Sequence, residues 1–106
     1  MIQIEVKKQK DNIVGFHIEG HAFFAESGSD IVCAAVSALA INCVNSIEEF
    51  TDCDFSVGSD EGRGMIDFEL TGTKSKEAEL LVRSALFGFQ KIQDSYGDKY
   101  VKLINR

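Results

Sequence analysis

Two side chains in this chain have the chemistry to act on a carbonyl together. Cys33 lies in the run Ser27-Gly28-Ser29-Asp30-Ile31-Val32-Cys33-Ala34-Ala35-Val36-Ser37, a polar approach followed by an apolar stretch. Such a run starts a buried helix, whose first turn presents backbone N–H groups without helical partners. The positive end of the helix dipole lies there too. A thiol in that place is expected to ionise more easily than a free one. Twelve residues earlier, His21 stands between Gly20 and Ala22 at the end of a strand-like segment. A thiol and an imidazole brought to one sheet edge are the two parts of a cysteine hydrolase.

The other reactive residues have plainer explanations. Cys43 falls mid-helix among apolar neighbours and reads as core. Cys53 is flanked by Asp52 and Asp54, whose charges disfavour a thiolate, so no nucleophile is expected there. His17 precedes His21 by four residues; in a straight strand the two share a face but stand roughly 13 Å apart, too far to hold one metal ion. With no Cys-x-x-Cys and no His-Glu-x-x-His, no metal site and no cofactor is expected. Asp30 has two readings. It either stabilises the helix start or orients the imidazole as a third catalytic member, and the first is put ahead. The glycines at 58, 62 and 64 flank a hairpin and are followed by no phosphate-binding helix.

Positioning Cys33 and His21 requires a sheet and a helix. Ile2, Ile4 and Val6 alternate with polar residues, as do Val14, Phe16 and Ile18, which predicts two strands joined by a turn at Asp11-Asn12. A loop over 22–28 then leads to a helix from about 30 to 50, capped by Ser27 or Ser29, with Asp30 adding negative charge at its start. Residues 31–44 are apolar nearly all round, so this helix needs a second neighbour beyond one sheet face, either another helix or another subunit. Phe55 and Val57 mark a third strand, residues 58–64 a hairpin loop, and Ile66, Phe68 and Leu70 a fourth strand. Ser75 caps a second helix whose core stripe is Ala78, Leu81, Val82, Ala85, Phe89 and Ile92, closed by Gly97 as a left-handed cap. Residues 100–104 read as a last strand. The order ββαββαβ predicts an α+β domain over 1–106, with an antiparallel or mixed sheet of about five strands packed with two helices.

Composition narrows the function classes. The 106 residues carry a formal net charge of −6 and no basic block, against DNA or RNA as a direct partner. Apolar residues make up 44%, enough for one real core. Cys33 and Cys43 are about 15 Å apart on one helix, too far to bridge, so all three cysteines are expected reduced, in a cytoplasmic protein. The N-terminus has no secretory apolar region, and the stretch 31–44 is too short to span a bilayer, so no membrane partner is expected.

Gly20-His21-Ala22, a short loop, and Gly28-Ser29-Asp30-Ile31-Val32-Cys33-Ala34-Ala35-Val36-Ser37 together resemble the ribosomal-processing cysteine proteases, the Prp family. Length and element order are similar over essentially the whole chain. The resemblance implies a homodimeric protease that removes a short N-terminal extension from bacterial large-subunit ribosomal protein number twenty-seven. It implies Cys33 as nucleophile and His21 as general base, with Gly20, Asp30 and Ser37 in supporting positions. Its substrate segment would be apolar and aromatic, followed by a basic body that an acidic enzyme attracts. Backbone N–H groups at the helix start are expected to hold the oxyanion. Loop 22–28, with Phe23, Phe24, Ser27 and Gly28, is expected to cover the site in part and to move when peptide binds. The competing reading is a non-catalytic, acidic, ribosome-associated binding module. A thiol redox protein is weaker, because no resolving cysteine lies nearby.

Overall fold

The computed structural model describes residues 1–26, 29–73 and 75–104. Strands β1 (Ile2–Gln9) and β2 (Asn12–Glu19) form an antiparallel hairpin that turns through Lys10, at φ 57°. Helix α1 (Ile31–Phe50) follows, then the hairpin of β3 (Phe55–Asp60) and β4 (Met65–Leu70), helix α2 (Lys76–Tyr96) and strand β5 (Val101–Ile104). The sheet order is β3-β4-β2-β1-β5. Among the described residues β5 alone runs parallel, beside β1, so of the antiparallel and mixed sheets expected the structure has the mixed one. Central β2 is hydrogen-bonded on both sides, which makes its end a rigid mount for His21.

Alternation sorts the sheet into two faces. Ile2, Ile4, Phe16, Ile18, Phe68 and Leu70 point inward and share one core with both helices. Phe16 stacks on Phe68 at 5.4 Å and meets Phe89 of α2 edge-on at 5.5 Å, offset geometries that aromatic rings prefer. Helix α1 buries Val32, Val36, Ala40, Cys43 and Ile47, a stripe at helical spacing. Each such aliphatic side chain taken fully from water contributes about 1.5–3 kcal/mol. The required second neighbour of α1 is α2, which packs against it. Even so, Ile31, Ile41 and Phe50 of α1 stay exposed.

Several expectations shift. The turn of the second hairpin is shorter than the glycines suggest: β3 continues through Gly58 and Ser59 to Asp60, leaving residues 61–64 to reverse the chain. In α2, Leu86 is buried, while Leu81 and Ile92 are only partly so. Gly97 takes φ 107° and ψ 151°, a glycine-favouring conformation but not the left-handed helical one. Helix α1 runs to Phe50 as expected, but where the stretch 31–44 read as too short to span a bilayer, an 18-residue window of the helix has mean hydropathy 1.7 and matches a membrane-spanning helix in length and composition. Its buried stripe belongs to the core that it shares with the sheet and α2.

Candidate active site

Asp30, not Ser27 or Ser29, caps α1. Ser27 and Gly28 lie outside the described residues; Ser29 turns back to donate its N–H to Glu26 O at 2.9 Å. The Asp30 carboxylate accepts four backbone N–H groups. Oδ1 takes Val32 at 3.0 Å and Cys33 at 3.1 Å from the helix. Oδ2 takes Phe24 at 3.0 Å and Ala25 at 3.4 Å from the preceding loop. Burial works against its charge, but these donors outweigh burial and hold the carboxyl below its ordinary range. Both oxygens are committed to backbone, so Asp30 ties loop to helix instead of orienting an imidazole.

That cap also occupies the helix start. Val32 and Cys33 N–H are bound to the carboxylate, and Ala34 N–H donates to Asp30 O at 3.1 Å. Three of the expected oxyanion donors are therefore already engaged. The expected acidic thiol is reversed for a related reason. Cys33 is half-buried, and burial pushes its thiol up; the Ala22 N–H, 3.3 Å from Sγ, pulls it down, and the Asp30 charge pushes it up again. The net direction is upward. The dipole argument counted the helix and left out burial, the larger effect, together with the anion that caps the helix.

His21 stands just beyond β2, exposed, and its Nε2 lies 3.2 Å from the carbonyl of Gly62. A carbonyl only accepts, so Nε2 carries the proton and donates it to this bond; in the neutral ring Nδ1 is left with a free lone pair. The turn between β3 and β4 is brought there by glycines. Gly20 has φ 107° and donates its N–H to Arg63 O at 3.0 Å. Gly64 has φ 60°, and a Cβ on it would lie 2.3 Å from Gly20 O and 3.1 Å from His21 Cε1. The Arg63 guanidinium adds a tie to Glu19 at 2.9 Å. Sequence reasoning assigned this turn no part in the site; the glycine spacing was the available signal.

Cys33, His21 and Ser37 line two adjoining hollows of about 540 and 520 Å³. The first is bounded by Phe23, Ala25 and Ala34, the second by an apolar floor of Ile18, Ile41 and Ile66 under an acidic rim at Asp60 and Glu61. Ser37, exposed one helical turn beyond Cys33, lies between them. The two aromatic loop residues diverge. Phe23 is 76% exposed, at φ 57°, with its ring 6.1 Å from His21. Phe24 packs edge-on against Tyr96 and Tyr100 at 5.4 and 5.1 Å, which anchors the start of loop 22–28.

The remaining thiols and the second histidine are occupied elsewhere. Cys43 is buried, donates to Leu81 O at 3.6 Å, and is pushed up to about 11 by burial. Cys53 points at the carbonyls of Asp54 and Thr73. His17 faces outward between Asp67 at 2.7 Å and Glu19 at 2.9 Å.

A thiol and an imidazole lining one groove, on this topology, match known proteins along the whole chain. The family model described as cysteine protease Prp covers residues 1–102. The chain belongs to the cysteine protease Prp family. A Bacillus subtilis relative named ribosomal processing cysteine protease Prp is 31% identical, with 92% of each chain covered. A Staphylococcus aureus relative of the same name is 28% identical over 92% of this chain and 93% of its own. The crystal structure of the S. aureus Prp protease with a covalently linked product peptide superposes with a TM-score of 0.92 at 27% identity, covering both chains completely. The same protease with a substrate peptide gives 0.86 at 26% identity, again over both chains. This chain is thus a cysteine protease, and the non-catalytic binding module is set aside.

Proposed function

We propose that this Prp protease removes the short N-terminal extension of bacterial large-subunit ribosomal protein number twenty-seven, with Cys33 as nucleophile and His21 as general base. The supporting observation is that both side chains line both hollows, while the strand end carrying His21 donates a backbone N–H to the Cys33 sulfur. Relatives named for ribosomal processing support the substrate. The acidic rim and the net charge of −6 suit a substrate with a basic body.

His21 Nδ1 takes the Cys33 proton as Sγ bonds to the scissile carbonyl carbon, and the carbonyl π pair moves to oxygen. The tetrahedral species collapses, the C–N bond breaks, and His21 returns the proton to the leaving amine. Water, deprotonated by His21, then cleaves the thioester and restores the thiol. Burial disfavours the Cys33 thiolate, so the first step leans on the imidazole to take the proton. The reading also carries a cytosolic homodimer in which a second copy covers apolar surface of α1 left exposed near Phe50.

Mass spectrometry of the extended ribosomal protein after incubation is the test. Wild type trims it; Cys33→Ala leaves it intact while its circular dichroism matches wild type. Trimming by Cys33→Ala would overturn the assignment of the nucleophile.

A further inference from the structure

We propose that the backbone N–H of Ala22 is an oxyanion donor of this site, in the place expected for the helix start. This rests on Cys33 being the nucleophile. Oxyanion holes in acyl transfer need N–H groups aimed at the developing charge and not already spent. The first-turn N–H groups of Val32, Cys33 and Ala34 are spent on Asp30, at 3.0, 3.1 and 3.1 Å. Asp30 is itself buried, so withdrawing its carboxylate would leave an unpaired buried charge. The Ala22 N–H instead points at Sγ from 3.3 Å.

The tetrahedral oxygen forms two bonds away from that sulfur. A donor already at hydrogen-bond distance from sulfur reaches such an oxygen with a small shift of the peptide plane. At rest, the donor faces the sulfur; as the negative charge passes to oxygen, it follows. Two further observations fit a held, functional amide. The Ala22 side chain is 2% exposed and packs into the core, which fixes the peptide from below. The next residue, Phe23, adopts φ 57°, a conformation costly for a bulky side chain that persists only where the surroundings impose it. The strained residue turns the chain immediately after the proposed donor.

The test replaces Ala22 by lactic acid, converting one peptide bond to an ester and deleting one N–H without changing the side chain. The expected result is a kcat at least about a hundredfold lower, with KM within about threefold. Alkylation of Cys33 by iodoacetamide passes through no oxyanion and should slow by less than about tenfold. A kcat within about threefold of wild type overturns the inference. So does alkylation slowed as much as cleavage, because the amide would then act on sulfur alone. If the ester variant does not fold, amide NMR of the wild-type protein decides. A peptide aldehyde, which forms a hemithioacetal on Cys33, should move the Ala22 amide proton downfield relative to the product peptide acid. An unmoved resonance overturns the inference. Cleavage by Cys33→Ala would instead strike at the nucleophile, and is read separately.

Discussion

The outer sheet face around His17 and the groove around His21 hold the same side chain in opposite conditions. His17 has a carboxylate at each ring nitrogen, Asp67 at 2.7 Å and Glu19 at 2.9 Å. Lys7 and Arg63 close the cluster through those same carboxylates. Hydrogen bonds from Glu19 and Asp67 raise the His17 pKa against a smaller opposing effect of burial. Both nitrogens face carboxylates and the cation is favoured, so this imidazole ties strands together and leaves neither nitrogen open to a substrate. His21 has one backbone carbonyl on Nε2 and an open groove on its other side. An imidazole can act as a base when one nitrogen is held by an acceptor and the other is left free.

The sharpest way to break this comparison is to remove each ring in turn. His21→Gln should lower kcat by about a thousandfold, in the range typical of a lost general base, while His17→Gln should change it by less than about threefold. Peptide cleavage kinetics check both, and a large loss in His17→Gln would erase the distinction. A smaller effect is expected at the turn. Gly64→Ala forces a Cβ against Gly20 O and toward His21 Cε1, at a positive φ. With the Gly62 carbonyl displaced, kcat should fall by about tenfold or more, with KM affected less. Unchanged kinetics would show that the turn does not position the imidazole.

Stability separates the two regions next. Asp30→Ala removes the cap and the loop tie together, and should cost about 1–2 kcal/mol by thermal or denaturant unfolding. A loss below about 0.5 kcal/mol would mean the four N–H contacts are replaced by water at no cost. The smallest effect is in the pH dependence of His17. Its folded pKa lies above the ordinary 6.5, so its contribution is fully present below pH 6.5 and is lost as pH rises through the folded value. The Tm difference between wild type and His17→Gln should therefore be widest in mild acid and narrow as pH rises through the folded value. Exposure and screening keep it modest. A difference that widened toward alkaline pH would contradict the ion-pair account.

Local pattern carried much of the fold. Ile2, Ile4 and Val6 alternate because one sheet face is buried, and the apolar stripe of α1 repeats at helical spacing for the same reason. The mixed sheet and the element order followed from these periods and the short turns. The errors fell where a residue's surroundings in the fold, not its local pattern, decide its role. Gly58 and Ser59 looked like a loop because their strand lies at the sheet edge, where polar and glycine residues are tolerated. Asp30 looked like a generic helix-start charge because nothing local says that Phe24 and Ala25 fold back onto its second oxygen.

Residue types and their spacing by themselves determined that a thiol would sit in the first turn of a long apolar helix and an imidazole at a strand end. Both follow from short-range periodicity and side-chain chemistry. Only the tertiary structure decided how those groups are charged and partnered. Gly62, which holds the His21 ring, is 41 residues away along the chain. Hydrogen-bond saturation and desolvation depend on what packs against a group in space, and so the raised thiol, the carboxylate-capped helix start and the free Nδ1 could be read only once the chain was folded.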